Sequence, residues 1–191
     1  MSRWRNSTER YGAAAIALHW LMAALLVLLI ASGLYMTALP DAGFDTRKII
    51  LVLYHKQFGM LAFALVLARM VWRSANPLPS LVDTIPQWQQ LSARVAHLLL
   101  YALMLALPFS GWLMSSAGGF PMSFLGLFEL PDLVPAGDWL FHRFIAIHRW
   151  LGYGLLALAL VHAGAALRHH FVLRDATLTK MLGSFGDRVA H

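Results

Sequence analysis

The chain has 191 residues, of which 59% are apolar and 13% charged, with a formal net charge of +6, a mean hydropathy of +0.63 and a pI of about 10.2. Such a composition excludes an ordinary soluble domain and points to an integral membrane protein. There is no cysteine, which excludes disulfides, thiolate ligation and cysteine-held iron–sulfur clusters and leaves histidine as the metal ligand.

Four apolar runs are each long enough for a helix of about 20 residues to cross a hydrocarbon core. They span 13–38, 49–71, 94–115 and 146–167, and predict an all-α integral membrane four-helix bundle forming one domain over 1–191, with a tail from about 168. The first run is too long for a cleaved signal, is interrupted by His19, and is followed by no clear small-residue cleavage site. Between the second and third runs, Asn76-Pro77, Pro79 and Pro86 suit a short extended link. From Ser115 to Arg143 lie Gly118-Gly119, Pro121, an apolar stretch from Met122 to Leu130, and Pro131 and Pro135. That stretch is too short to span and is expected to form an interfacial helix or a cap.

Ten of the fifteen Lys and Arg residues fall on one side of these runs: Arg3, Arg5, Arg10, Arg69, Arg73, Arg94, Arg168, Arg174, Lys180 and Arg188. The other side has Arg47, Lys48, Lys56, Arg143 and Arg149, together with Asp41, Asp45, Glu129, Asp132 and Asp138. The positive-inside rule then puts both termini in the cytoplasm. High pI is thus a topology signal and gives little support to nucleic-acid binding.

Histidine carries the chemistry. His148 and His162 are two heptads apart on the fourth run, so their rings point the same way to within about 40° and are separated by roughly 21 Å along the helix. His19 and His55 enter two other runs at matching depths, which gives each ring a candidate partner. A single histidine at such depth is commonly a helix-packing group. Four at two depths, each costly unless partnered, are better explained as axial ligands of two stacked haems. Zinc would gather three or four ligands in one place, and proton relays normally add carboxylates, yet the four runs contain no Asp or Glu.

Each histidine has a small residue one helical turn later: Ala23 after His19, Gly59 after His55, Gly152 after His148 and Ala166 after His162. Glycine there removes bulk where a flat macrocycle approaches the backbone, so Gly59 and Gly152 are candidate haem-packing positions. His97 has three open readings: a packing group, a propionate or quinone contact, or an alternative ligand. His142 is read as solvated or interfacial, and His191 as tail. Arg69, Arg73 and His169, with His97, are candidates for quinone or propionate contact. Lys56 and Arg149 directly follow proposed ligands and could steer a small anion or pair with propionates, although membrane-interface anchoring is as good an account of either.

Taken in order, Ile16-Ala17-Leu18-His19-Trp20, Tyr54-His55, the segment from Arg69 to Pro79, Ala96-His97 with Tyr101 and Leu107-Pro108, His148 to Gly152, and Val161-His162 through His169-His170-Phe171 to Arg174-Asp175-Ala176-Thr177-Leu178 resemble the bacterial cytochrome b561 family. They are similar, more distantly, to the cytochrome b subunits of formate dehydrogenases and nickel–iron hydrogenases. The resemblance implies two b-type haems in a bacterial inner-membrane protein, one bound by His55 and His148 on the periplasmic side and one by His19 and His162 on the cytoplasmic side, close enough for electron tunnelling. It also implies superoxide oxidase activity, with electrons passing from superoxide to ubiquinone. Two other functions stay open: an electron-transfer anchor subunit of a membrane dehydrogenase or hydrogenase, docked to a redox partner protein, and a haem-free helical bundle.

Overall fold

A computed structural model describes residues 4–39, 45–79 and 86–183. Arg3, Asp41, Arg188 and His191 lie outside the described residues. Four helices are long and apolar enough to cross a membrane, and the fold is all-α. They are α1 (Ala13–Ala38), α2 (Thr46–Ser74), α3 (Gln87–Ala117) and α4 (Asp138–Arg168). A π-helical turn over His169–Leu173 extends α4, and the short α5 covers Thr179–Leu182.

Apart from α1, the helices begin and end beyond the apolar runs, because capping chemistry and not hydropathy sets their limits. Asn76 sends its side-chain amide back to the Trp72 carbonyl at 2.9 Å, satisfying an end group of α2 just before Pro77 stops helical continuation. Pro86 immediately precedes α3, and its carbonyl accepts from the Gln89 and Gln90 amides at 3.0 and 3.1 Å, satisfying two donors of the helix's first turn. Gly119, at φ +68°, takes the left-handed position after the last turn of α3. Asp138 opens α4, where its carboxylate complements the helix dipole. His142, expected outside the fourth span, therefore lies within α4.

The Met122–Leu130 stretch corrects one expectation. It is a hairpin, with β1 (Met122–Phe124) antiparallel to β2 (Phe128–Leu130), and not an interfacial helix. The turn places both Leu125 (φ +51°) and Gly126 (φ +72°) at positive φ, and the Leu127 amide donates to the Phe124 carbonyl at 2.9 Å. Two consecutive positive-φ residues give the primed turn that matches strand twist.

The described chain falls into two compact units. One comprises 22–66 and 102–156, and the other 1–21, 67–101 and 157–191. The first contains the buried apolar residues Met22, Leu25, Met60, Ala62, Val66, Ala117, Met122 and Leu155, and also the buried Ser110, Ser115 and Ser116. Its hairpin is tied to α2, since Lys56 Nζ donates to the Pro121 carbonyl at 2.8 Å and Gln57 Nε2 to Ser123 Oγ at 3.1 Å. In the second unit Asn6 holds the amino-terminal segment by donating to the Pro77 carbonyl at 3.1 Å and accepting from the Gly12 amide at 2.9 Å. Trp20 Nε1 donates to the Met181 carbonyl at 2.8 Å, which fastens α5 to α1. Large apolar side chains such as Val27, Leu28, Leu98 and Val161 are exposed, as expected of helices whose outer surface faces lipid.

Candidate haem sites

In the first unit, α2 and α4 bring His55 and His148 together with ring centroids 6.2 Å apart and planes at 80°. In the second, α1 and α4 bring His19 and His162 to 6.4 Å with planes at 72°. A metal–imidazole bond of about 2 Å plus a centroid-to-nitrogen distance of about 1.2 Å on each side puts two coaxial axial ligands about 6.4 Å apart. Both pairs match that separation, and near-perpendicular planes are compatible with rings rotated about a shared axis. Gly59 and Gly152 have open space around a Cβ built on them, so a flat group can approach the backbone there. The donor set, two neutral nitrogens per site with no carboxylate, is the one haem iron takes. Among the described residues no group of three or more His, Cys, Asp or Glu is arranged to hold a metal ion.

His97 comes within 5.2 Å of His162, centroid to centroid, with planes at 66°. That is too close for the two rings to be coaxial ligands of one iron. Arg69 donates from Nε to the Tyr101 hydroxyl at 2.9 Å and lies in the same compact unit as His19, His97 and His162. Arg73 lies over the Tyr101 ring at 5.8 Å. Arg69 and Arg73 also act on Tyr11, whose hydroxyl burial pushes above its ordinary pKa while their charges partly offset that rise.

His169 Nδ1 lies 2.5 Å from Asp175 Oδ2, a contact formed because the π-helical turn ends at Arg174 in the left-handed conformation and folds the next residue back. Thr177 donates its amide to Asp175 Oδ1 at 2.8 Å. Burial raises the Asp175 pKa, but hydrogen bonds from His169 and Thr177 outweigh it and hold the carboxyl below the usual carboxylate value. Of the two basic residues that follow ligands, Lys56 is engaged by the hairpin carbonyl and Arg149 is exposed.

The sequence reading missed the groups that touch the outer edges of the His55 and His148 rings. Ser32 Oγ lies 3.0 Å from His55 Nδ1, and Ser110 Oγ lies 2.9 Å from His148 Nδ1. The adjoining glycines face the same rings: a Cβ on Gly33 would lie 3.5 Å from His55 Cε1, and one on Gly111 would lie 3.3 Å from His148 Cε1. The repeated Ser-Gly dipeptide, at 32–33 in α1 and 110–111 in α3, was the available signal.

A membrane-spanning all-α chain that pairs histidines at axial-ligand separation defines a class, the membrane b-type cytochromes. Residues 10–184 match the family described as prokaryotic cytochrome b561, and the chain belongs to that family of membrane haem proteins. It is 35% identical over 180 residues to cytochrome b561 homolog 2 of Escherichia coli K12, covering 93% of this chain and 94% of the relative. It is 33% identical over 129 residues to cytochrome b561 homolog 1 of the same organism, covering 67% and 72%. A probable superoxide oxidase CybB of Yersinia pestis is 27% identical over 183 residues, covering 91% and 96%. Membership in a haem-binding family sets aside the haem-free bundle.

Proposed function

We propose that the chain is a single-domain dihaem cytochrome of the bacterial inner membrane, with cytoplasmic termini, that carries electrons from periplasmic superoxide to ubiquinone. The observation that carries this reading is the presence of two histidine pairs, each at the spacing of axial ligands, in a chain of the cytochrome b561 family. Similarity to a probable superoxide oxidase supports the choice of donor.

Haem, when bound, supplies reversible one-electron transfer without a nucleophile or an acid–base dyad. His55 and His148 would hold one haem, and His19 and His162 the other. Two histidines holding each haem would keep substrate away from the metal, so that the bound group would supply outer-sphere one-electron transfer. Two superoxide anions each lose one electron to become dioxygen, and one quinone gains two electrons and two protons to become quinol. Lys56 and Arg149 place positive charge beside His55 and His148, which favours approach of a small anion. For the acceptor, His169, His97, Arg69 and Arg73 offer polar contacts for a quinone head group or a propionate.

Detergent-purified protein should show two low-spin b-type haems per chain in a reduced-minus-oxidised spectrum, and superoxide should drive ubiquinone reduction at a rate that collapses without the haems. Two haems with no superoxide-driven reduction, alongside rapid reduction by a co-purifying dehydrogenase or hydrogenase subunit, would replace this reading with the anchor-subunit role.

A further inference from the structure

A serine hydroxyl has one hydrogen to donate. Ser32 lies 3.0 Å from the Leu29 carbonyl, and Ser110 lies 2.7 Å from the Leu107 carbonyl. A carbonyl can only accept, so each serine's hydrogen is committed within its own helix. Toward the imidazole, each Oγ must then act as acceptor, and His55 Nδ1 and His148 Nδ1 must carry hydrogen. A second constraint at His148 gives the same result, because its Nδ1 also lies 3.1 Å from the Leu107 carbonyl. This network assigns both rings the Nδ1–H tautomer, which leaves each Nε2 with a free lone pair.

We propose that Ser32 and Ser110 are positioning residues that set the tautomer, the rotation and the donor strength of the His55–His148 haem ligands, with Gly111 providing the space in which the His148 ring seats. This rests on those histidines being the axial pair of one haem. A hydrogen bond accepted from the distal ring N–H makes the ligating nitrogen more basic and favours ferric over ferrous iron. The serines thus lower the reduction potential of this haem. Among the described residues, His19 and His162 have no hydrogen bond of this kind, so the device belongs to one pair.

The two serines differ in weight. Removing Ser110 leaves His148 Nδ1–H the Leu107 carbonyl, whereas removing Ser32 leaves His55 Nδ1–H without a partner among the described residues.

The test is a potentiometric titration of both haems in the full-length holoprotein, combined with a haem count and electron paramagnetic resonance, for Ser32→Ala, Ser110→Ala, and Ser32→Thr, which restores the hydroxyl. Ser32→Ala should shift the ferric–ferrous equilibrium of the His55–His148 haem about tenfold toward ferrous, or about 59 mV upward for one electron, with an altered g tensor. Ser110→Ala should shift it less, Ser32→Thr should restore it, and the other haem should not move. Loss of that haem in Ser32→Ala, reversed by Thr, supports the same role. An unchanged potential and g tensor in Ser32→Ala with both haems present overturns the proposal, as does a loss that Thr does not reverse. A wild-type protein with fewer than two haems, or with both retained in His148→Ala, overturns the underlying ligand reading instead.

Discussion

The two histidine pairs share nearly the same ring separation but are surrounded by different chemistry. Around His55 and His148 the neighbours are neutral and directional: two serine hydroxyls, a backbone carbonyl and two glycines. Around His19 and His162 they are rings, Trp20 against His19 and a third histidine, His97, against His162, with the Arg69–Tyr101 pair in the same unit. Geometry alone fixes what a site can bind, while the surroundings fix its potential. On the proposed ligand assignment, an acceptor behind the ring N–H would favour the oxidised metal at the first pair, and a cation near the second would favour the reduced state there.

The largest effect breaks the comparison outright. His148→Ala should remove one haem and leave the other, and His162→Ala should do the reverse, read as a fall from two haems toward one per chain with different spectra remaining in the two variants. Retention of both haems in either variant would dissolve the pairing.

A smaller effect separates the two kinds of surroundings. Arg69→Leu should lower the potential of the His19–His162 haem by a shift of about tenfold in its ferric–ferrous equilibrium, leaving the other haem in place, as followed by redox titration. Equal shifts at both haems would show that the charge is not local to one pair.

The smallest effect resolves differences within one pair. Gly111→Ala would place a methyl 3.3 Å from His148 Cε1, tighter than ordinary contact, whereas Gly33→Ala would place one at an ordinary 3.5 Å from His55 Cε1. Overpacking of this type costs about 1–3 kcal/mol, so Gly111→Ala should lower haem occupancy and thermal stability while Gly33→Ala stays near wild type. A haem titration of the two variants, with melting curves, ranks them.

The features legible in the sequence were those with a simple period or length. Four apolar runs of spanning length became four helices, and the fourteen-residue interval between His148 and His162 places both on α4. Features that depend on partners far away in sequence were hidden. Ser32 meets His55 across 23 residues and Ser110 meets His148 across 38, and serines are ordinary in transmembrane helices. Same-helix spacing pointed to Gly59 and Gly152, while the glycines whose Cβ positions face the rings, Gly33 and Gly111, lie on other helices. The hairpin was missed because apolar content cannot separate a short helix from two short strands, and its turn needs a leucine at positive φ, a conformation leucine rarely adopts.

Lys56 and Gln57, the two residues immediately after His55, grasp the hairpin at Pro121 and Ser123. A one-residue slip of that segment would break both attachments and reverse which side chains face inward. The hairpin is thereby held to the helical turn that carries His55, whose imidazole is one residue from Lys56 and two from Gln57, so a change in loop length near residue 121 acts on the segment that presents that ring.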